Sequence, residues 1–228
     1  MIPKSVLDEG PALVFDLWQT LAFDDLPANP FDATIEAFGY DPKVASERRL
    51  VEDPLMSRPY RDVDDALDHV EQLLGRRATD RDALRELWRR SSRSARLYDD
   101  VLPALDALSG RFRLALLSNT QSFGMEAVSA SGVLERFDAL VLSYLHGLAK
   151  PDPAFFAAAA RELGLPPSRL VMIGDSLDRD WLPACAAGFG AALLIDRSGW
   201  SERSSRLRRH DPAPAVIRSL DELVAALG

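Results

Sequence analysis

Short apolar runs recur along the chain, and each is bounded by turn residues and followed by a helical pattern. Their hydrophobicity is continuous rather than alternating, which is typical of strands that are covered on both faces. We therefore predict strands at residues 12–18, 113–118, 139–143, 170–173 and 191–195. Between them we predict helices at residues 103–108, 124–131, 153–163 and 178–187. Strands that alternate with helices predict an α/β fold with an open, doubly wound parallel sheet.

The stretch from residue 25 to residue 96 interrupts this alternation. It contains no convincing strand, and its apolar residues recur at three- and four-residue spacing, as in Val63, Leu67, Val70 and Leu74. We interpret it as a helical insertion between the first two core strands. The predicted domains are therefore an α/β core, residues 1–24 and 97–228, and a helical cap, residues 25–96. Ligands of open parallel sheets bind beyond the carboxyl ends of the strands, so the insertion would lie over the site as a lid.

Charge and composition narrow the classes of partner. The net charge of −8 argues against a nucleic-acid surface, which usually needs clustered Lys and Arg. We interpret the densest basic run, residues 203–209, as a solvated face or loop. No stretch approaches the roughly 18 apolar residues of a membrane span, and the first residues contain no apolar signal core. We expect a cytoplasmic protein with neither a nucleic-acid nor a membrane partner.

Three aspartates stand at the ends of two predicted strands. Asp16 lies near the end of the first, and Asp175 and Asp180 follow the fourth. Carboxylates gathered in one place repel one another and raise one another's pKa values. A divalent cation removes this conflict, and Mg²⁺ prefers oxygen ligands, water and a substrate phosphate. The pattern predicts a Mg²⁺ site in which one carboxylate could attack a phosphoryl group to form an aspartyl-phosphate.

Three further polar residues fall at the same edge of the predicted sheet. Ser118 and Asn119 close the second strand, and Lys150 precedes the fourth. Hydroxyl, amide and ammonium groups can hold phosphoryl oxygens, and phosphoryl transfer requires mainly positioning and charge stabilisation. Each residue alone would be ordinary loop chemistry or a solvated charge, but their joint occurrence favours a catalytic site. We predict Asp16, Ser118 and Lys150 as catalytic residues and Asn119 as a substrate contact.

These segments resemble the four motifs of the haloacid dehalogenase superfamily, in the right order. The most specific are KPDPAFF, residues 150–156, and GDSLDRDWLPACAAG, residues 174–188, which resembles the fourth motif in its acid spacing. The resemblance covers roughly residues 10–23 and 97–200. The helical insertion is similar in position and size to the small helical cap of that superfamily. The resemblance implies a hydrolase with a Rossmann-like core.

The resemblance also implies a role for each motif residue. Asp16 would be the nucleophile, Ser118 would bind the phosphate or carboxylate of the substrate, and Lys150 would stabilise the nucleophile and the transition state. The implied Mg²⁺ ligands, direct or through water, are Asp16, the backbone carbonyl of Trp18, Asp175 and Asp180.

Trp18 departs from the pattern of the superfamily's phosphatases, which carry a second aspartate at this position as general acid and base. An indole donates a hydrogen bond but cannot exchange a proton near neutral pH. General acid–base help is typically worth 10²–10⁴-fold in rate, so its loss would slow a phosphatase. An aromatic residue here resembles the superfamily's 2-haloacid dehalogenases, whose leaving halide needs no proton. Those enzymes use no metal, however, and usually carry Ser in place of Asp175.

Three functions follow from these residues. The favoured one is a Mg²⁺-dependent phosphatase that acts on a small phosphorylated metabolite through an aspartyl-phosphate, slowly because of Trp18. The alternatives are a metal-independent dehalogenase-like hydrolase and a phosphate- or metal-binding protein that has lost turnover. We favour the phosphatase because two acids at the motif spacing are harder to explain otherwise than one substituted position.

Substrate choice is expected to reside in the helical insertion and in the loop that follows Thr20. Candidates there include Phe23, Asp24 and Asp25. Arg58 is close to Arg61 in sequence and could meet an anionic substrate tail, although solvated surface arginines are the competing interpretation. We predict Thr20 and Arg58 as substrate contacts.

Overall fold

A parallel sheet forms the centre of the molecule. The computed structural model describes residues 2–8, 10–201 and 206–228, so Arg203 in the predicted basic run lies outside the described residues. The described strands are β1 Ala12–Phe15, β2 Ala22–Phe23, β3 Arg96–Leu97, β4 Arg113–Ser118, β5 Ala139–Leu142, β6 Leu170–Gly174, β7 Ala191–Ile195 and β8 Ala215–Ile217. In the described part of the chain, six of them pair in parallel in the order β5-β4-β1-β6-β7-β8. This order confirms the predicted doubly wound α/β sheet.

Helices connect the parallel strands, as the alternating pattern predicts. The described α-helices are α1 Lys4–Asp8, α2 Pro30–Ala37, α3 Ala45–Leu55, α4 Val63–Leu74, α5 Arg81–Ser94, α6 Val101–Ser109, α7 Glu126–Ala130, α8 Ser143–His146, α9 Pro153–Leu163, α10 Leu182–Ala186 and α11 Leu220–Leu227. Short 3₁₀ turns occupy Leu134–Arg136, Pro167–Arg169 and Leu207–Arg209. A single turn of π-helix occupies Leu177–Trp181 and leads directly into α10.

The core strands are buried on both faces, which explains their continuous hydrophobicity. In β1, Leu13 and Phe15 pack into one apolar cluster, to which α6 and α11 contribute. Ala12 and Val14 pack into a second cluster, to which α9 and α10 contribute. Successive side chains of a strand point to opposite faces, so these two clusters are the cores above and below the sheet.

The helical insertion has an apolar core of its own. Helices α2 to α5 bury a cluster that includes Phe38, Leu55 and Leu67. Trp88 of α5 lies in the same cluster, and its ring centroid is 5.0 Å from that of Phe123, a residue that follows β4. The ribbon of β2 and β3 pairs antiparallel where the insertion leaves and rejoins the core. The predicted domain boundaries at residues 24 and 97 fall at this ribbon.

The boundaries of several elements differ from the predicted ones. β1 ends at Phe15 rather than at residue 18, because the amides of Leu21 and Ala22 turn back to the carbonyl of Leu17. β8 has three residues and is only partly buried, so the sequence offers little apolar signal for it.

Within the described residues, no helix is both long enough and apolar enough to span a bilayer. The cytoplasmic location stays a prediction.

Candidate active site

Asp16 lies at the carboxyl edge of the sheet, directly after β1. Its backbone amide donates to the carbonyl of Ile173 at 2.9 Å, so the residue is still held to β6 although the strand has ended. Gln19 then adopts a positive φ of 61°, which turns the chain back on itself. The Asp16 side chain is only 9% exposed. The turn therefore holds one buried carboxylate beyond the end of the central strand.

Lys150 lies between two of the predicted site aspartates. Its Nζ donates to Oδ1 of Asp16 and to Oδ1 of Asp180, at 2.6 Å in each case, and all three side chains are buried. Burial alone would lower the pKa of the Lys150 ammonium, but the charges of Asp16 and Asp180 outweigh it and raise the pKa. Lys150 is therefore a charged group that neutralises part of the acid cluster.

Asp175 completes the cluster with Asp16 and Asp180. Each of the three residues offers a carboxylate oxygen, and these oxygens all lie within 4.8 Å of one another. Burial, followed by the charge of Asp180, raises the pKa of Asp16 to about 6 despite the nearby Lys150. Burial, followed by the charges of Asp16 and Asp180, raises the pKa of Asp175 to about 8. One ammonium among three carboxylates leaves an excess of negative charge at the cluster.

The π-helical turn after β6 positions Asp180. The amides of Asp180 and Trp181 both donate to the carbonyl of Ser176, at 3.0 and 3.1 Å, and the amide of Ser176 donates to Oδ2 of Asp180 at 2.9 Å. The side chain of Asp180 thereby folds over Gly174, where an added Cβ would lie 2.4 Å from Cγ of Asp180. Gly174 is required because the carboxylate occupies the space that any side chain would need.

Asn119 holds the loop that carries Lys150. Its Nδ2 donates to the carbonyl of Lys150 at 2.9 Å, and its Oδ1 accepts from the amide of Lys150 at 2.6 Å. This reciprocal pair fixes the backbone from which the ammonium reaches Asp16. Asn119 also lines the cavity described below, so its predicted substrate contact stays a prediction.

Ser118 and Thr20 are both fully buried and do not line the cavity. Ser118 is fully buried at the end of β4, and its Oγ has no hydrogen-bond partner among the described residues. Thr20 is also fully buried with an unpartnered Oγ1, and its carbonyl accepts from the guanidinium of Arg197 at 2.9 and 3.2 Å. Neither residue lines the cavity in the described part of the chain.

Arg58 lies away from the acid cluster. Its side chain is exposed, with Cζ 5.0 Å from the centroid of the Tyr60 ring. Tyr60 is anchored in the insertion by its hydroxyl, which donates to the carbonyl of Pro54 at 2.6 Å. Arg58 stacks on this anchored ring and does not line the cavity, and its predicted substrate contact stays a prediction.

Trp18 lines the cavity, and its indole nitrogen donates to a buried side chain of the core. Nε1 donates to Oγ1 of Thr120 at 3.3 Å, and Thr120 lies 3.3 Å from Sδ of Met125. The indole N–H is therefore already engaged, and Trp18 offers the cavity a ring surface.

A cavity of about 440 Å³ separates the acid cluster from the helical insertion. Its walls come from the ends of the core strands, from the loop before α2 and from helices α2, α3 and α5. The lining side chains combine the acid cluster with aromatic, apolar and charged groups, including Asp16, Trp18, Asp24, Phe31, Arg48, Glu52, Met56, Trp88, Ser91, Asn119, Gln121, Lys150, Asp175, Arg179 and Asp180. The volume suits a small molecule.

Sequence reasoning did not identify Arg179 and Glu52 as site residues. The two terminal nitrogens of Arg179, Nη1 and Nη2, donate to the carboxylate of Glu52 at 3.2 and 3.3 Å. Nη1 of Arg48 donates to the same carboxylate at 3.3 Å. Arg179 belongs to the π-helical turn, whereas Glu52 belongs to α3 of the insertion. The position of Arg179 between Asp175 and Asp180 was a signal for it, but Glu52 resembles any other acid of a charged helix.

Asp24 is a further carboxylate of the cavity, just after β2. Oγ of Ser91, in α5, donates to Oδ2 of Asp24 at 2.6 Å. The other oxygen, Oδ1, is buried and has no partner among the described residues. Burial raises the pKa of Asp24, and the hydrogen bond from Ser91 offsets this only in part.

Comparison with known proteins finds a family match over the part of the chain that contains the acid cluster and Lys150. A model of the haloacid dehalogenase-like hydrolases matches residues 11–188. N-acylneuraminate-9-phosphatase of Mus musculus is 32% identical over a stretch that covers 55% of this chain and 53% of the relative. This chain therefore spans about half the length of that curated relative.

Two solved structures show how widely the fold is shared. The HAD phosphatase of Thermococcus onnurineus is 24% identical, with a TM-score of 0.62 over 96% of this chain and 98% of that one. The 2-haloacid dehalogenase of Pseudomonas syringae pv. Tomato DC3000 is 23% identical, with a TM-score of 0.59 over 95% and 98%. A phosphatase and a dehalogenase both have this fold, so the fold does not decide between the two reactions.

Proposed function

The chain belongs to the haloacid dehalogenase-like hydrolases, and from this premise we propose that it is a Mg²⁺-dependent phosphatase of small phosphorylated metabolites. The observation that carries the proposal is the cluster of Asp16, Asp175 and Asp180, with Lys150 bonded to two of them. A dehalogenase that uses no metal has no need for the extra carboxyl group of Asp175, whereas a Mg²⁺ site gains an oxygen ligand from it. The matched stretch of N-acylneuraminate-9-phosphatase agrees with this choice.

The donor set fits a magnesium ion. Mg²⁺ prefers hard oxygen ligands, and the cluster offers three carboxylates that carry more negative charge than Lys150 neutralises. Asp16, Asp175, Asp180 and the backbone carbonyl of Trp18 would hold the ion. When bound, it would neutralise charge on the phosphoryl group and so make that group accessible to a carboxylate.

The chain's own residues then account for nucleophilic attack. Asp16 is positioned by its backbone bond to β6 and by Lys150, and its carboxylate attacks phosphorus to give an aspartyl-phosphate. The Lys150 ammonium stabilises the charge that the phosphoryl oxygens carry in the transition state. Ser118 has an unpartnered hydroxyl at the end of β4, and we propose that this hydroxyl donates to a phosphoryl oxygen when the substrate binds.

We further propose that residues 25–96 act as a cap. Helices α2, α3 and α5 contribute to the wall of the cavity opposite the acid cluster. Such a wall limits the size of the substrate and keeps bulk water away from the acyl-phosphate. The cap therefore selects the organic part of the substrate, while the core residues recognise its phosphate.

The dehalogenase alternative has one observation in its favour, namely Trp18. The indole of Trp18 cannot supply a proton near neutral pH, and a halide leaving group needs none. The two functions differ in product and in metal requirement, so a single set of assays separates them.

The proposal is tested by phosphate release from p-nitrophenyl phosphate and from a panel of phosphorylated metabolites, with Mg²⁺ or with chelator. We expect release that depends on Mg²⁺ and is abolished by Asp16→Asn. Chloride release from 2-chloropropionate in chelator would establish the dehalogenase instead. Calorimetric binding of Mg²⁺ with neither product, even in long incubations, would indicate a protein that has lost turnover.

A further inference from the structure

Hydrolysis of an alkyl phosphate through phospho-Asp16 requires two proton transfers. The departing alkoxide must gain a proton, and the water that attacks the aspartyl-phosphate must lose one. Trp18 performs neither transfer, because its only exchangeable proton is on an indole nitrogen that is bonded to Thr120. Another group at the cavity must therefore carry out both proton transfers if the enzyme is to turn over at an appreciable rate.

The groups that line the cavity leave few candidates. The described lining contains no His, Cys or Tyr, and Lys150 is held in its charged form by two carboxylates. Asp16 is the nucleophile, and Asp175 and Asp180 belong to the acid cluster. These assignments leave two carboxylates in the described lining, Glu52 and Asp24.

Glu52 is unsuited to proton transfer because two cations hold it. Arg179 and Arg48 both donate to its carboxylate, and paired cations stabilise the ionised form. Asp24 has no ion pair among the described residues. Ser91 donates to one of its oxygens at 2.6 Å, and the other oxygen is buried without a partner.

We propose that Asp24 is the general acid and base of this enzyme, in place of the carboxylate that Trp18 replaces. The proposal rests on the proposed phosphatase function. It requires that the substrate or the attacking water reach the carboxyl group of Asp24, whose Oδ1 is buried in the structure, after that group rotates about its bond to Cβ. Burial raises the pKa of Asp24, so its protonated form is more favoured than in an exposed aspartate, which suits a group that must give a proton.

The two steps balance as follows. Asp16 attacks phosphorus, the bond between phosphorus and the ester oxygen breaks, and the protonated Asp24 gives its proton to the departing oxygen. Water then attacks phosphorus, the bond to Asp16 breaks, and the ionised Asp24 takes a proton from the water. Inorganic phosphate and an alcohol leave, and both aspartates return to their starting states.

The position of Asp24 links proton transfer to the insertion. Asp24 directly follows β2, at the boundary of the core, and Ser91 belongs to α5 of the insertion. The hydrogen bond between them therefore orients the carboxyl group only while α5 is packed over the cavity. A proton-transfer group placed in this way acts when the substrate is enclosed.

Asp24→Asn tests the proposal, because asparagine keeps the shape and an acceptor for Ser91 but cannot exchange a proton. Asp99→Asn is the matched control, since Asp99 lies just after β3, is exposed and does not line the cavity. We expect Asp24→Asn to lower turnover of an alkyl phosphate by about 10²–10⁴-fold. With p-nitrophenyl phosphate, whose leaving group needs no proton, we expect a burst of about one nitrophenolate per enzyme and a slow steady state.

Intact-mass measurement after rapid quench should show that the variant accumulates one phosphoryl group, which Asp16→Asn removes. Turnover of an alkyl phosphate within about threefold of the unaltered protein, without a burst, would overturn the inference. If the unaltered protein hydrolyses no phosphate ester, the proposed function itself fails. The activity of the unaltered protein therefore tests the phosphatase function, and the activity of Asp24→Asn tests the role of Asp24.

A double-variant cycle covers the case in which Asp24→Asn is damaged structurally. Trp18→Asp introduces a carboxyl two residues after the nucleophile. If Asp24 transfers protons, Trp18→Asp should raise turnover of Asp24→Asn by at least about tenfold more than it raises that of the unaltered protein. Equal factors in the two backgrounds would contradict the proposal.

Discussion

The guanidinium of Arg179 spans the gap between the two walls of the cavity to reach the buried carboxylate of Glu52. Arg179 lies in the turn that carries Asp180, and Glu52 lies in α3 of the insertion, 127 residues earlier in the chain. The Glu52 side chain is 7% exposed and that of Arg179 is 44% exposed, so water screens the pair from one side only. This ion pair directly connects the π-helical turn that carries Asp180 with the proposed cap.

Breaking this ion pair should weaken substrate binding, and so raise KM, more than it slows the chemical steps. Glu52→Gln keeps the size of the side chain but removes its charge, so the insertion is held less firmly over the cavity. The pair is partly solvated, so we expect an effect of about 1 kcal/mol, which corresponds to roughly a fivefold rise in KM with little change in kcat. Steady-state kinetics would measure this. Glu36→Gln, at an exposed position of α2, is the control and should leave both parameters unchanged. An unaltered KM in Glu52→Gln would contradict the expected role of the pair.

Gly174→Ala should disable the acid cluster without changing any charged group. The added Cβ would lie 2.4 Å from Cγ of Asp180, so that side chain must leave its place beside Lys150. We expect Mg²⁺ binding, measured by calorimetry, to weaken at least about tenfold and turnover to fall with it. Gly110→Ala is a matched control because no atom within 4 Å would meet its Cβ. Ordinary Mg²⁺ affinity in Gly174→Ala would show that Asp180 is not needed in its observed position.

Asn119→Ala should lower kcat while leaving Mg²⁺ affinity nearly unchanged. Asn119 makes two hydrogen bonds to the backbone of Lys150 and none to the acid cluster among the described residues. Without them the Lys150 loop is free to shift, and a misplaced ammonium stabilises the transition state less well. We expect kcat to fall by about 10–100-fold. A loss confined to KM would indicate that Asn119 binds substrate instead, as the sequence alone predicts.

The acid cluster could be predicted because strand ends are visible in the sequence. Asp16 and Asp175 each follow a buried apolar run, and parallel strands present their carboxyl ends at one edge. The prediction includes Asp180 because its spacing to Asp175 resembles that of the superfamily's fourth motif. The π form of the turn after β6 could not be predicted, since it depends on how Ser176 and Asp180 bond to each other.

The walls of the cavity could not be predicted in the same way. Glu52 faces Arg179 because α3 packs over the α/β core. The helical pattern of α3 shows only which of its faces packs into the apolar cluster of the insertion, so it does not reveal this contact with the α/β core. The sequence predicts Arg58 at the substrate because it is basic and flanks Tyr60 together with Arg61, but the sequence does not reveal that the Arg58 guanidinium lies over the anchored Tyr60 ring. Contacts between the insertion and the core depend on tertiary packing, which residue spacing does not encode.

Binding of Mg²⁺ to the metal-free protein should release a proton near neutral pH. Burial and the charges of Asp16 and Asp180 raise the pKa of Asp175 to about 8, so its carboxyl group is mainly protonated at pH 7. A metal ligand must be ionised, so each ion bound at pH 7 should displace about one proton, and the apparent affinity should rise with pH until Asp175 is ionised in the free protein. Calorimetry in two buffers of different ionisation enthalpy measures the number of protons. Asp175→Asn should abolish the release, whereas release that is absent at pH 7 in the unaltered protein would show that Asp175 is already ionised and that its burial does not control Mg²⁺ binding.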